Sequence, residues 1–211
     1  MNSLRARWLL GAAAVAAALA GFYLAAQLDS AGPRLASGTW LPQAKALPPF
    51  TLTDTHGRSF TRHDLAAAPA LVFFGFTHCP DVCPTTLLQL AQLRKRAALG
   101  RLRVLFVSVD PQRDTPQVLG AYVHAFDPSF EGLTGSERAI AAIAADFSVA
   151  VDRVELPGGE YTMDHSAVIT LTDDAARIVA IFTPPFDVAA LAADLGHAGP
   201  YLRSGRPVPA T

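Results

Sequence analysis

Two stretches of the chain read as strands buried on both faces, and they restrict the fold more than any other feature. Ala70 to Phe76, ALVFFGF, is apolar or glycine throughout, and Arg103 to Asp110, RVLFVSVD, is nearly so. A half-solvated strand alternates polar and apolar side chains, so short unbroken apolar runs fit central strands covered above and below. Between them, TTLLQLAQLRKRAALG predicts a helix, with Pro84 in its first turn and Gly100 to close it. Arg94, Lys95 and Arg96 fall near its end, where positive charge suits the helix dipole.

The flanking pattern completes a mixed α/β layout. FTLTD and RSFT, on either side of Thr55, His56 and Gly57, predict a hairpin at the start of the folded part. DTPQVLGAYVHAF predicts a helix capped by Thr115 with Pro116 first, and with Val118, Tyr122 and Phe126 on one face. SERAIAAIAADF repeats the pattern, with Ser136 as cap and Ile140, Ile143 and Phe147 inward. VAVDRVEL, a PGGE turn and YTMDH follow, then strands AVITLT and RIVAIFT joined by Asp173 to Ala176. A last helix, DVAALAADL, is expected to stop at Gly196. Helices alternating with early strands, then a terminal hairpin, call for a mixed central sheet flanked by helices. With a cysteine pair where the first central strand meets its helix, that is the thioredoxin arrangement.

The ends suggest where the chain resides. Trp8 to Leu28 holds no charged residue and is long enough to cross a bilayer as one helix, while Arg5 and Arg7 precede it. Positive charge stays on the cytoplasmic side, so the rest is expected outside, in a periplasm or its equivalent. The alternative is a cleaved signal peptide, with Ala18, Leu19 and Ala20 as cleavage site, but the apolar run continues past them. The expected organisation is a cytoplasmic N-terminus over 1–7, a single transmembrane anchor over 8–28 and a Pro/Gly-rich tether over 29–49. One domain follows over 50–203, then a flexible tail over 204–211. Net charge is −1 and the basic residues do not cluster, which argues against a nucleic-acid partner.

The chemistry concentrates in FFGFTHCPDVCPTT. Cys79 and Cys83 are the only cysteines of 211 residues, and they stand four apart. If the helix begins near the first, their Cβ atoms lie about 5–6 Å apart on one face, which permits a disulfide, a redox pair or a metal clamp. A purely structural disulfide would close too short a loop to stabilise much. Redox enzymes of this fold use two intervening residues; the three here leave room for an ion.

A metal would need a third ligand. His165, in YTMDHSA, enters a strand from the loop that usually carries a cis proline in this fold, and it competes with a plain core or surface role. His78 reads as structural, and His56, His63, His124 and His197 as exposed. Two thiolates and an imidazole suit Cu(I) best, with Zn(II) as the rival and Cu(II) also compatible. Met163 offers a thioether beside His165, although core filling is its commoner use.

GFTHCPDVCPTTL, VSVDPQRDTP and YTMDHSA, in this order, resemble the Sco/SenC family of membrane-tethered thioredoxin-like copper chaperones. The resemblance implies that Cys79, Cys83 and His165 hold copper, as Cu(I) or Cu(II), with Asp81 and Asp164 as motif neighbours. It further implies delivery to the CuA centre on a copper-accepting subunit of cytochrome c oxidase, from a single-pass protein of the inner membrane. A periplasmic copper donor or thiol reductant would be a further partner. The chain departs from the family pattern at Met163, where a valine or similar residue is expected, and in TDDAARI, a turn without the usual glycine. The other function to weigh is a tethered thiol–disulfide reductase, in which Cys79 attacks and Cys83 resolves. A thiol peroxidase fits poorly, because no arginine can be placed beside the cysteines.

Overall fold

The computed structural model describes residues 8, 11, 13–21, 32–96 and 100–203. The strands are β1 (Gly38–Ala46), β2 (Thr51–Asp54), β3 (Ser59–Thr61), β4 (Ala70–Gly75), β5 (Arg103–Ser108), β6 (Glu131–Thr134), β7 (Val151–Glu155), β8 (Tyr161–His165), β9 (Ile169–Thr172) and β10 (Arg177–Phe182). The helices that pack around them are α1 (Val82–Arg96), α2 (Pro116–His124), α3 (Glu137–Asp146) and α4 (Val188–Ala198).

Eight strands form one sheet in the order β1-β10-β9-β4-β5-β6-β2-β3. β4 lies in its middle, parallel to β5 and antiparallel to β9, so the sheet is mixed as the pattern of elements predicts. Every residue of β4 is buried, and all but the first of β5. Phe73, Phe74 and Phe106 are completely covered, and each such ring contributes about 1.5–3 kcal/mol on leaving water. α1 packs on α4, α2 on β6, and α3 approaches β2, which places helices around the sheet.

Local signals were obeyed where side chain and backbone agree. Thr115 and Ser136 cap α2 and α3 by accepting the Val118 and Ala139 N–H groups. β2 and β3 form the expected hairpin, closed at Gly57 (φ +76°) and extending the sheet edge beside β6. Ile140, Ile143 and Phe147 are buried as expected. The turn without a glycine sets Ala176 at φ +54°, a left-handed conformation that costs an L-residue about 1–2 kcal/mol.

Several expectations are corrected. The tether reading of 29–49 fails from residue 38, because β1 pairs antiparallel with β10 as an edge strand. Just before it, the buried Asp194 carboxylate accepts bonds from the Ala36 and Ser37 N–H groups at 2.7 Å each and from Ser37 Oγ at 2.6 Å. α4 continues through Gly196 to Ala198, since nothing near that glycine demands a stop. α1 begins only at Val82, so Cys79 precedes it and the two cysteines do not share a helix face. In α2 the buried residues are Leu119, Gly120 and Val123, while Val118 is 43% exposed. Residues 13–21 are helical, but residues 9, 10, 12 and 22–28 of the anchor expected over 8–28, and the whole tail over 204–211, lie outside the described residues. Among the described residues no helix is long and apolar enough to cross a membrane.

Candidate metal centre

β4 ends at Gly75 and delivers the chain into a turn, Phe76 to Asp81, that leads to α1. The Cys79 N–H donates to the Phe76 carbonyl at 3.3 Å and closes the turn. Cys79 Sγ then accepts the Cys83 N–H at 3.4 Å, so its sulfur occupies the place of a helix cap. The first N–H groups of a helix lack partners within it, and this sulfur supplies one. Cys79 is partly exposed, Cys83 is fully buried, and both thiols are free.

Cys83 meets the third candidate from a distant part of the chain. Its Sγ lies 3.5 Å from His165 Nε2, although 82 residues separate the two. β8 ends at His165, whose ring is held edge-on by Phe73 and Phe76 with centroids 6.1 and 6.0 Å away. His165 Nδ1 sits 3.3 Å from the Ser166 carbonyl, which can only accept, so Nδ1 bears the proton and the Nε2 lone pair faces the sulfur. Burial lowers the His165 pKa and so favours the neutral ring, against the opposing pull of the Ser166 carbonyl and Asp164. Burial also raises the Cys83 thiol far above its ordinary value, and the neighbouring Cys79 adds to that. A soft cation that took the Cys83 proton's place would relieve this penalty.

The donor set therefore fits a soft ion: Cys79 Sγ lies against the Cys83 backbone and beside its thiol, and Cys83 Sγ lies against His165. Among the described residues no group of three or more His, Cys, Asp or Glu is already gathered around one point.

The remaining sequence candidates separate cleanly. His78 is exposed and its Nδ1 rests 3.1 Å from Thr77 Oγ1, while His56, His63, His124 and His197 are exposed. Asp81 and Asp164 are exposed as well. Met163 turns toward a cleft of about 450 Å³ that it lines with Ile140, Ala144 and Val151. The one cis peptide among the described residues, Pro184–Pro185, follows β10 rather than preceding β9.

Two contributors escaped the sequence reading. A Cβ on Gly75 would stand 2.8 Å from Cys83 Sγ and 2.7 Å from the Phe106 ring, so this glycine makes room for the thiol. Glycine inside an otherwise bulky strand was the available signal. Asp114 is fully buried and accepts from the Thr77 N–H at 3.0 Å, Thr77 Oγ1 at 2.6 Å and Ser108 Oγ at 2.5 Å. Its motif, DPQRDTP, was visible, but its contact with the cysteine turn was not.

Comparison with known proteins places this geometry. The family model described as SCO1/SenC matches residues 40–198. "Protein SCO1 homolog 1, mitochondrial" of Arabidopsis thaliana is 35% identical over 147 residues, covering 68% of this chain but only 44% of that protein. The copper-bound structure of Bradyrhizobium japonicum ScoI superposes with a TM-score of 0.65 at 40% identity, covering 72% of this chain and 99% of the other. The solution structure of apo Sco1 from Thermus thermophilus gives 0.70 at 38% identity, covering 78% and 96%.

Proposed function

This chain belongs to the SCO1/SenC family, and on that premise we propose that it carries one copper ion on Cys79, Cys83 and His165 and passes it to the CuA centre of cytochrome c oxidase during assembly. The observation that carries the reading is the 3.5 Å approach of Cys83 Sγ to His165 Nε2, with the free Cys79 thiol in the turn just before the helix. Copper bound to relatives of the same fold supports the choice of ion. Three soft donors leave copper open to attack by a fourth, so an acceptor's ligands can replace these one at a time. An anchor over residues 8–28 in the inner membrane would hold the carrier near a membrane-bound acceptor and raise its effective concentration.

The unequal exposure of the two cysteines favours a second role at the same site. Cys79, partly exposed at the helix start, can attack a target disulfide, forming a mixed disulfide and releasing one target thiolate. Cys83 then attacks Cys79 Sγ and releases the second. Two electrons pass to the target, the pair is left as a disulfide, and a thiol reductant must restore it.

The test is a Cu(I) titration of reduced protein, residues 32–203, beside His165→Ala and Cys83→Ser. One tightly held equivalent in the wild type, weakened by either substitution, is expected. Binding that ignores His165 would leave the reductase as the working function.

A further inference from the structure

The two halves of the metal site come from distant parts of the chain, and one loop touches both. The cysteine turn hangs from β4, whereas His165 ends β8. β7 and β8 pair only with each other, as a separate two-stranded sheet. Between that hairpin and α3 lies the cleft of about 450 Å³ lined by Ile140, Ala144, Val149 and Val151, so apolar packing does not fill the space beneath the hairpin. Polar ties therefore share in setting its position, beside the Val151, Met163 and His165 contacts with the core.

Those ties converge on residues 110–114. Asp110, 2% exposed, accepts from Tyr161 Oη at 2.9 Å and pairs with Arg113 Nε. Arg113 Nη1 donates to the Tyr161 carbonyl at 3.1 Å, and the guanidinium groups of Arg113 and Arg153 lie 3.9 and 3.7 Å from the Tyr161 ring centroid. Tyr161 and His165 face the same side of β8, four residues apart along a strand of period two. On the other side of the loop, Asp114 holds Thr77, two residues before Cys79, by the backbone and side-chain bonds given above. The arms are joined. Ser108 Oγ donates to Asp114 and accepts the Asp110 N–H at 3.0 Å, and the Asp114 N–H donates to the Asp110 carbonyl at 2.9 Å.

We propose that the 110–114 loop is a bracket that sets the separation of the two halves of the site, with Asp114 positioning the cysteine turn through Thr77 and Asp110 positioning His165 through Tyr161. Asp110, Asp114 and Tyr161 are positioning residues; none touches the ion. Partners that orient metal ligands are commonly worth about ten- to a hundredfold in metal affinity. The inference rests on the copper reading for its metal readout, and on the metal-free protein for the rest. It also makes the two arms separable, which a general role in holding the fold would not.

The experiment uses Tyr161→Phe, which deletes one hydroxyl, and Asp114→Asn, with Thr77→Val as a second probe should Asp114→Asn fail to fold. Cu(I) affinity, the midpoint potential of the Cys79–Cys83 pair and the imidazole resonances of metal-free protein are measured. Tyr161→Phe is expected to weaken copper about tenfold, to move the His165 resonances and to leave the potential unchanged. Its copper effect is expected to vanish in a His165→Ala background. Asp114→Asn or Thr77→Val is expected to shift the potential. Equal losses from Tyr161→Phe with and without His165, or an unmoved potential together with unmoved His165 resonances, would overturn the bracket. If the wild type binds no copper, the copper reading fails, and the resonances and the potential still decide the bracket.

Discussion

Gly75→Ala adds a single methyl group at the point where β4 meets the site. Glycine here is not needed for its backbone, since Gly75 is absent from the positive-φ positions. The added Cβ would meet Cys83 Sγ at 2.8 Å and two Phe106 ring atoms at 2.7 and 2.9 Å, distances that real contacts do not reach. The Phe106 ring, on β5, is fully buried against Phe73 and Tyr122, which leaves it little room to retreat. Overpacking a tight core costs about 1–3 kcal/mol, while removing glycine from the unfolded chain returns about 0.4–1 kcal/mol. The net loss is about 1–2 kcal/mol, a fall in Tm of about 2–8 °C for a domain of this size. Thermal unfolding of reduced, metal-free protein measures it, and a Cu(I) titration reads the displaced thiol as weaker binding. Gly196→Ala is the control, because that exposed helical glycine has nothing within 4 Å of its Cβ position. It should raise Tm by about 2–4 °C through helix propensity. If Gly75→Ala behaves like the control, the thiol does not rest against Gly75 and the account of the pocket is wrong.

Further outcomes follow from the same contacts. Brief alkylation of reduced protein should label Cys79 and spare the buried Cys83, as mapped by mass spectrometry; equal labelling would contradict the burial. Oxidising the pair should abolish Cu(I) uptake and reduction should restore it, since two of the three donors are consumed in the disulfide. Asp194 is buried, which alone would raise its pKa, yet bonds from Ser37 and the Ala36 N–H hold it below the ordinary value of 3.8. Its contribution is therefore present above about pH 4 and lost as pH falls below that through the depressed value. The Tm gap between wild type and Asp194→Asn should close in that acid range and stay open at neutral pH. A constant gap would show that the carboxylate charge is not what holds residues 36 and 37.

The sequence by itself determined the centre of the fold, because burial on both faces forces an unbroken apolar run and β4 and β5 have one. It also determined the caps at Thr115 and Ser136, where the hydroxyl and the backbone groups it serves are neighbours in the chain. The three candidate donors were legible for a different reason: two cysteines in a chain otherwise free of them, and a histidine shortly before an apolar strand. Position in space was not legible. Residues 38–46 looked like a tether because an edge strand needs little apolar content of its own, only the open side of β10 to bond. The helix start at Val82 depended on how the cysteine turn is pinned by Phe76 and Thr77. Asp114 and Tyr161 gave no local sign of their contacts, and Gly75 only that of a glycine in a bulky strand, since each meets a residue brought beside it by the fold. What a side chain does alone or to its near neighbours can be read along the chain. What it does to a residue 37 or 51 positions away, as Asp114 does to Thr77 and Asp110 to Tyr161, exists only once the sheet has closed.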